Sequence, residues 1–321
     1  MKLSVVLGSH NGAAYIGEQL ESILSQTRMP DEIVLSDDAS RDDTVAIARD
    51  VLSTHPEVQF TVIENVPALG VVRNFEQAAL AATGDLIALA DQDDIWHTAK
   101  LERIIAVFER RADVLLVHTD ARLVDGDGVP LGMSLLASLE ARPGELREIH
   151  GGRAFDTLLR RNLVTGATAV FRASLLRDAV PFADDWVHDE WLAIIAAAIG
   201  STEVLEDELI DYRQHGGNQI GAEKLTLRRK LGKLREPRTE RNAHLLERAE
   251  SLVERLEAVG VADARLEAAR AKLHFERYRS ALPASHFARV LPIVRRALAG
   301  DYARFSLGLP DMGRDLTQPA D

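Results

Sequence analysis

The chain has 321 residues, of which 46% are hydrophobic, and its formal net charge is −12. Its length predicts two domains, or one large domain with an appendage, and its acidity argues against nucleic acid as a partner because phosphate binding needs a basic surface. The absence of cysteine excludes disulfides and thiolate metal sites, so any metal must bind oxygen or imidazole ligands.

The sequence has no apolar run near the roughly 18 residues that a membrane-spanning helix requires. Its first residues, MKLSVVLGSHNG, pass from a short apolar run into polar turn residues without a small-residue cleavage site. We therefore expect a cytoplasmic protein.

Short apolar runs alternate with helical patterns through the first 120 residues. Runs rich in Val, Ile and Leu predict strands at 2–9, 31–38, 58–65, 85–92 and 113–120. Segments with apolar residues at helical spacing predict helices at 13–27, 42–55, 71–84 and 96–111. This alternation predicts an α/β fold, with a mostly parallel sheet covered by helices on both faces.

The pattern is less regular between 121 and 222. Residues 124–132 predict a turn and 133–150 a loop or a short crossing segment. Further on, a strand leading into a helix is expected at 164–176, a helix at 187–200, and a strand with its loop from 201. We expect one domain over 1–222, with halves at 1–120 and 121–222.

A helical C-terminal region is predicted for 223–321, where Leu, Ala, Arg and Glu follow helical periodicity. Residues 223–240 hold seven Lys or Arg against three Glu. This basic stretch is either a solvated helix face or, over 224–238, a contact for an anionic membrane surface or charged partner. The C-terminal helices also offer a surface for homo-oligomer formation.

Acidic residues follow two of the predicted strands. Asp91, Asp93 and Asp94 come at the end of the fourth strand, where carboxylates could bind Mg²⁺ or Mn²⁺ together with a diphosphate. Their alternative role is to cap a helix that starts near Trp96. Asp37 and Asp38 end the second strand and could accept hydrogen bonds from a base or ribose, or serve a turn.

The combination of motifs resembles a known family. The segments SVVLGSHNG, YIGEQLESILSQT, DEIVLSDDASRDDT and NFEQAALAATGDLIALADQDDIWHTAKLE resemble the nucleotide-sugar-binding half of family 2 glycosyltransferases of the GT-A fold, which is Rossmann-like. The segments NLVTGATAVFRASLL, HDEWLAIIAAAIG and DELIDYRQHGGNQIGA are similar to the acceptor half of bacterial members called rhamnosyltransferase-like. The resemblance covers roughly residues 1–222.

The resemblance implies roles for the residues that match. Nucleotide-sugar binding falls to Ser9, His10, Asn11, Asp37, Asp38 and Asp91, with Arg213 as a phosphate partner. Metal binding falls to Asp93, Asp91 and His215, and the catalytic base is Asp189.

Three residues are candidates for the acceptor side, each with an alternative. Gly166 could present its backbone to the acceptor or form a turn, and Trp191 could stack on a sugar or lie in the core. Glu190 is a weaker rival of Asp189.

The sequence departs from the family at two points. GSHN stands where the family's first strand usually ends in a Pro-Thr-Tyr-Asn-like stretch, and His188 precedes the base where Glu is frequent. The first departure leaves the base contacts there open, and the second makes Asp189 the better candidate base.

The implied activity is an inverting, Mn²⁺- or Mg²⁺-dependent sugar transfer from a nucleoside diphosphate donor, dTDP-rhamnose or a UDP-hexose. The expected acceptor is a hydroxyl of a saccharide or lipid-linked glycan in surface polysaccharide synthesis, at the inner face of the membrane. A sugar nucleotidyltransferase is an alternative, but GSHNG lacks the basic residues expected in a triphosphate loop. A non-catalytic saccharide-binding or assembly subunit is another, although Asp91, Asp93 and Asp189 are all present.

Overall fold

The computed structural model describes residues 1–215, 238–261 and 263–319. Within these residues the chain forms two compact units, the first made of 1–154 with 163–215. The second unit combines 155–162 with the described residues from 238 onward. The expected limit near 222 lies outside the described residues, and the segment 155–162 was not expected in the second unit.

The first unit contains the strands and most of the shorter helices. Its strands are β1 (Leu3–Ser9), β2 (Glu32–Asp37), β3 (Gln59–Glu64), β4 (Leu86–Ala90), β5 (Ile95–Trp96), β6 (Val114–Asp125), β7 (Pro130–Ser134), β8 (Val170–Arg172) and β9 (Ser201–Gln214). The helices up to β9 are α1 (Ile16–Leu24), α2 (Thr44–Ser53), α3 (Val71–Ala81), α4 (Lys100–Arg110), α5 (Leu135–Ser138), α6 (Pro143–His150), α7 (Ala154–Arg160), α8 (Leu176–Ala179) and α9 (His188–Ile199). Of these, α7 lies almost wholly in the segment that belongs to the second unit.

The strands form one mixed sheet in the order β3-β2-β1-β4-β8-β6-β9-β5, with β7 paired to β6. β1, β2, β3 and β4 are mutually parallel, and β6 pairs with β9 in parallel. The short strand β8 runs antiparallel between β4 and β6. The predicted α/β fold is therefore confirmed, and the carboxyl ends of β1, β2 and β4 meet at one edge of the sheet.

The central strands β1, β2 and β4 are mostly apolar, and helices cover both faces of the sheet there. Leu3, Val5 and Leu7 of β1 pack in one core cluster with residues of α1, α2 and α4. On the opposite face, α3 places Phe75 against Gly8, where an added Cβ would lie 2.8 Å from the ring. Gly8 thus allows the close approach of α3 beside the end of β1.

Two predicted segments differ from the structure. The helix expected from 96 begins at Lys100, because Ile95 and Trp96 pair with β9 as a short strand. The loop expected at 133–150 contains α5 and α6. The composition of this segment hid two signals that start a helix. Pro143 lies in the first turn of α6, and the Glu145 carboxylate accepts a hydrogen bond from the Arg142 backbone N–H at 2.9 Å.

The second unit is helical in its described residues after 237, as the periodicity predicts. Its helices there are α10 (Arg238–Val259), α11 (Asp263–Ser280), α12 (His286–Leu298), α13 (Asp301–Phe305) and α14 (Leu309–Thr317). Phe275 packs edge-on against Tyr302, with ring centroids 5.0 Å apart. Among the described residues, no helix has both the length and the apolar character needed to cross a bilayer.

Candidate active site

The loop after β1 links the carboxyl ends of three neighbouring strands. The His10 backbone N–H donates to Gln92 Oε1, beyond β4, at 2.9 Å, and His10 Nδ1 lies 2.6 Å from the carbonyl oxygen of Asp38, beyond β2. Asn11 adopts a positive φ of 50°, and its N–H donates to Ser40 Oγ at 2.8 Å. His10 and Asn11 are exposed, so this loop lies where ligands of parallel α/β sheets bind.

The acidic pair at the end of β2, Asp37 and Asp38, is buried, and both carboxyl groups accept hydrogen bonds from protein donors. Asp37 accepts a hydrogen bond from Ser9 Oγ at 2.8 Å, so Ser9 is turned toward Asp37 and is itself buried. Asp38 accepts from the backbone N–H groups of Leu69 at 2.6 Å and Gly70 at 2.9 Å. Since a carboxylate offers about four acceptor positions, both aspartates keep capacity for a further donor.

Three carboxyl groups crowd the loop after β4. Burial raises the pKa of Asp91 to about 7, and the negative charges of Asp93 and Asp189 add to this shift. Burial, followed by the charges of Asp93 and Asp91, also raises the pKa of Asp94 well above its usual value. The ionised form of these groups is therefore disfavoured unless a cation joins them.

Asp94 does not cap a helix, which was the alternative role that the sequence allowed. It precedes β5, and α4 begins only at Lys100. Its Oδ1 accepts the backbone N–H of Arg213 at 3.0 Å, whereas its buried Oδ2 has no hydrogen-bond partner among the described residues. Asp94 therefore ties the loop after β4 to the end of β9.

Arg213 has a different position from the phosphate-binding one that was predicted. Its Nε donates to the carbonyl oxygen of Asp93 at 2.8 Å, its Nη1 to that of Gly126 at 2.9 Å, and its Nη2 to Glu18 at 2.6 Å. The side chain is only 4% exposed. Because the guanidinium is buried among protein acceptors, it supports the backbone that carries Asp93 and does not face a diphosphate.

His215 lies beside Asp93, as the motif predicts. Its Nε2 is 2.7 Å from Asp93 Oδ2, and its ring stacks on Tyr15 with centroids 4.7 Å apart. The two side chains are 122 positions apart in the sequence. They therefore place an imidazole nitrogen and carboxylate oxygens at one point of the sheet edge.

Asp189 occupies the first turn of α9 with its carboxylate fixed by backbone donors. Its Oδ2 accepts from the Gly166 N–H at 2.6 Å, and its Oδ1 accepts from the Glu190 N–H at 2.7 Å. Its negative charge adds to the raised pKa of Asp91, so the two carboxyl groups lie within electrostatic range of each other. The structure thus brings the predicted base near the acidic loop after β4.

Lys100 binds the turn that holds Asp189 and interacts electrostatically with Asp94 and Asp91 of the acidic loop. The side chain is fully buried, and its Nζ lies 3.3 Å from the centroid of the Trp96 ring. It donates to the carbonyl oxygen of Ala167 at 2.8 Å, within the 3-10 turn Gly166–Thr168. Burial lowers the pKa of Lys100 well below its usual value, and the charges of Asp94 and Asp91 oppose that shift.

Two of the candidate acceptor-side residues are not exposed to an acceptor. Trp191 is 1% exposed and its indole N–H donates to the carbonyl oxygen of Ala179 at 2.7 Å, so it is a core residue. Gly166 is buried, and its N–H is used by Asp189. Glu190 is half-buried and remains a candidate. Trp96 is also a core residue, and its ring contacts the Nζ of Lys100.

The residues at this edge fit a hard divalent cation. Carboxylate oxygens and an imidazole are the donors available without cysteine. Burial, followed by the neighbouring negative charges, raises the pKa values of Asp91 and Asp94, and a bound cation would favour their ionised forms. Within the described residues, no three or more His, Asp or Glu side chains are grouped as a complete metal site. The ligand set of Asp93, Asp91 and His215 therefore stays a prediction.

The sequence did not point to Lys100, to Glu18 or to the hydrogen bond between the His10 backbone and Gln92. For Lys100 a signal was present, since it lies at helical spacing before Ile104 and Phe108, which form the buried face of α4. A lysine on an apolar face is seldom fully buried without a partner. Glu18 and Gln92 gave no such signal, because polar residues near turns are common.

Two solved structures share the fold. The TarS protein of S. aureus, in complex with UDP, superposes with a TM-score of 0.58 at 16% identity, covering 98% of this chain and 89% of that one. A mannosyltransferase of Pyrobaculum calidifontis, in complex with GDP-mannose and Mn²⁺, gives a TM-score of 0.51 at 20% identity, covering 98% and 84%. The GT-A fold that the motifs implied is therefore confirmed.

Two protein relatives each match about two thirds of the chain. An uncharacterised glycosyltransferase of Nostoc is 26% identical over 230 residues, which is 68% of this chain and 66% of the relative. The chain thus spans slightly less than two thirds of that relative's length. A dTDP-rhamnosyl transferase of Shigella flexneri is 25% identical over 227 residues, covering 67% of this chain and 74% of the relative.

The family model described as glycosyl transferase family 2 matches residues 4–178, more than half of the 321 residues. The match contains β1 to β4, the acidic pairs after β2 and β4, and the turn at Gly166. The chain belongs to glycosyl transferase family 2.

Proposed function

We propose that the chain transfers a sugar from a nucleoside diphosphate donor to an acceptor hydroxyl, with inversion at the anomeric carbon. The observation that supports this proposal is that Lys100 interacts electrostatically with Asp94 and Asp91 and also binds the turn that holds Asp189. Lys100 binds the carbonyl oxygen of Ala167 at 2.8 Å, and the adjacent Gly166 N–H binds Asp189 at 2.6 Å. We infer that these two acidic sites, from distant parts of the sequence, serve one reaction centre.

In the proposed reaction the acceptor oxygen attacks the anomeric carbon while the bond from that carbon to the diphosphate breaks. Asp189 takes the acceptor proton, and the electron pair of the broken bond leaves with the nucleoside diphosphate. The Gly166 and Glu190 N–H groups fix the carboxylate before the acceptor arrives, which reduces the cost of orienting the base.

The donor's nucleotide is assigned to the loop of His10 and Asn11 and to Asp37 and Asp38. These residues are linked by the 2.6 Å contact between His10 Nδ1 and the Asp38 carbonyl oxygen, so the two strand ends form one surface. The diphosphate is assigned to the edge formed by Asp93 and His215. A divalent cation bound there would neutralise the charge that develops on the leaving diphosphate.

The donor sugar is proposed to be rhamnose from its dTDP form, with a UDP-hexose as the second choice. The name of the Shigella relative supports the first, and the UDP of the S. aureus structure supports the second. The acceptor is a hydroxyl of a saccharide or lipid-linked glycan. Mn²⁺ is the first cation to test, because the Pyrobaculum protein was solved with it.

The central test is a panel of nucleotide sugars monitored by release of nucleoside diphosphate, with and without Mn²⁺ or Mg²⁺. Asp93→Ala should abolish cation-dependent release. Asp189→Asn should retain donor binding, measured by calorimetry, and lower transfer by roughly 10²- to 10⁴-fold, the usual contribution of a general base. Asp50→Asn is the matched control, since Asp50 is an exposed residue of α2.

Three results would contradict the proposal. Turnover of no sugar nucleotide and binding of none would remove the donor class. Formation of a sugar nucleotide from sugar phosphate and nucleoside triphosphate would assign a nucleotidyltransferase instead. Equal loss of donor binding and transfer in Asp189→Asn would remove Asp189 from the role of base.

A further inference from the structure

Helix α12 exposes a stripe of large apolar side chains. Phe287 is 92% exposed and Leu298 is 85% exposed, and Leu291, Val290 and Val294 are each more than 40% exposed. At 100° per residue, these five positions fall within an arc of roughly 100° on one side of the helix. They therefore form one continuous strip, here called the α12 stripe, which differs from the isolated apolar residues common on protein surfaces.

The opposite side of α12 is anchored, so the stripe has a defined orientation on the second unit. Ile293 is buried, and Arg289 is fully buried. The Arg289 guanidinium donates to the carbonyl oxygens of Gln318 at 2.7 Å and Asp315 at 3.1 Å, at the end of α14. Because these contacts hold the polar arginine inside, the apolar stripe is turned outward.

The charge around the stripe is positive although the chain is acidic. The helix sequence HFARVLPIVRRAL contains three arginines and no Asp or Glu, in a protein of net charge −12. Arg289 is buried and Arg296 pairs with Asp301 at 3.0 Å, whereas Arg295 is exposed about 40° beyond Leu291 at the edge of the stripe. An apolar strip with a basic flank is typical of helices that lie in a membrane interface.

We propose that the α12 stripe, with Arg295 beside it, binds an anionic lipid surface. The helix would lie in the plane of that surface, with the apolar side chains among the acyl chains near the headgroups and the arginine at the phosphates. Charge complementarity favours this occupant, because the basic flank matches an anionic surface.

A second copy of the chain fits the stripe less well. Stable protein interfaces use about 20–30 residues from each partner, whereas the stripe has five. A second copy would also add a second Arg295 beside the same strip, with no acidic residue of α12 to offset the positive charge.

The surface differs from the basic segment 224–238 that the sequence suggested for membrane contact. Apart from Arg238, that segment lies outside the described residues. Arg238 itself is buried and donates to the carbonyl oxygens of Leu282 and Arg279, so it is not a membrane contact. The inference also stands apart from the proposed catalysis, because it uses no residue of the candidate active site.

The test is co-flotation of the full chain with vesicles of phosphatidylcholine alone or with phosphatidylglycerol. The wild type should bind the anionic vesicles, more weakly at high salt. Replacing Phe287 and Leu298 together by Ser should lower partitioning by roughly tenfold or more, because two large apolar side chains are lost from the bound face. Arg295→Gln should reduce the preference for anionic vesicles.

The matched control replaces Val66 and Leu80 by Ser, since these are exposed apolar residues of the first unit. It should bind like the wild type. Failure of the wild type to bind anionic vesicles, or unchanged binding after the Phe287 and Leu298 replacements, would overturn the proposal. A dimer that the same replacements dissociate, without lipid binding, would assign the stripe to a second copy.

A second measurement reports insertion directly. The three native tryptophans, Trp96, Trp186 and Trp191, are all buried. Phe287→Trp adds an exposed indole, whose fluorescence should shift to the blue and be quenched by brominated lipids in anionic vesicles. If the protein binds the vesicles but the fluorescence of the added indole is not quenched, the stripe does not enter the lipid and another part of the chain binds.

Discussion

Lys100 is a buried lysine between two acidic sites, and its environment predicts a positioning role. Its Nζ contacts the Trp96 ring and donates to the Ala167 carbonyl oxygen; burial lowers the pKa of Lys100, and the charges of Asp94 and Asp91 oppose that shift. Lys100→Met keeps the length of the side chain but leaves the Ala167 carbonyl without its donor. We expect kcat to fall by roughly 10²-fold through displacement of the turn that holds Asp189, with the KM of the donor changed less.

Lys272→Met provides the control for Lys100. Lys272 is also a buried lysine whose Nζ donates to a backbone carbonyl, that of Phe305 at 2.6 Å, but it lies in the helical unit. The Lys272→Met substitution should alter the melting temperature and leave kcat unchanged. Wild-type kcat in a folded Lys100→Met protein would remove the positioning role.

His118 makes stability depend on pH. It is buried in β6, neither ring nitrogen has a hydrogen-bond partner among the described residues, and burial lowers its pKa to about 4. In the unfolded chain His118 has a pKa of about 6.5, so below that pH it takes up a proton that it does not bind in the folded chain. The folded state therefore loses stability as pH falls from about 6.5 toward 4. From pH 7 to pH 5 we expect a loss of about 2 kcal/mol from this residue.

Denaturant unfolding of His118→Leu at the two pH values measures this contribution. The variant should lose less stability on acidification than the wild type, although His188, whose pKa burial lowers to about 3, still contributes. His55→Gln, at a partly exposed residue, should leave the difference unchanged. Equal acid sensitivity of His118→Leu and wild type would contradict the assignment.

The 3-10 turn Gly166–Thr168 is the element on which the base depends. A Cβ added at Gly166 would lie 3.0 Å from His188 Nε2 and 3.4 Å from Asp189 Oδ2. His188 cannot yield easily, because its ring stacks on Phe75 with centroids 4.0 Å apart. Gly166→Ala should therefore shift Asp189 and lower kcat by roughly tenfold or more, with donor binding kept.

Gly144→Ala is the matched glycine control. No heavy atom lies within 4 Å of a Cβ built there, and the residue sits in α6, where Ala is favoured over Gly by up to about 1 kcal/mol. It should retain full kcat with unchanged or higher stability. If Gly166→Ala behaved in the same way, the turn would not position the base.

At the level of elements, the sequence predicts the regular part of the fold well. Strands β1, β2 and β4 show no regular polar alternation because both of their faces are buried, and that pattern is visible in LSVVLGS and EIVLSD. The pattern fails where tertiary pairing decides the structure. Ile95 and Trp96 form β5 only because β9 reaches them from more than 110 residues away.

The sequence pointed to the acidic residues of the candidate site but not to the groups that support them. Spacing after a strand indicates where Asp91 and Asp93 lie, since strand ends share one edge of a sheet. It gives no information on side-chain direction, which is why Arg213 was expected to meet a phosphate and Trp191 was left between a sugar contact and the core; both are buried. Those orientations depend on Glu18, 195 positions from Arg213, and on Ala179, 12 positions from Trp191.

On the scale of the whole molecule, the two units are stabilised differently. The first relies on an apolar sheet core, whereas the second contains a buried ionic network centred on Asp315 of α14. The Asp315 carboxylate accepts from Arg279 Nε at 2.7 Å and from Tyr302 Oη at 2.9 Å, and it also pairs with Arg241. One fully buried carboxylate therefore ties α14 to three other helices, α10, α11 and α13.

Asp315→Asn should destabilise the second unit by roughly 3–5 kcal/mol, because it leaves the buried Arg279 without its full counter-charge and turns an amide N–H toward a donor. Calorimetry should show a lower transition for the helical unit, and donor binding by the first unit should survive at temperatures below that transition. Glu257→Gln is the control, since Glu257 pairs with Arg270 at 2.8 Å on the surface and exposed pairs contribute about 1 kcal/mol or less. Equal effects of the two substitutions would mean that the network stabilises the unit no more than a surface ion pair does, and that its apolar contacts, such as Phe275 on Tyr302, hold the helices together.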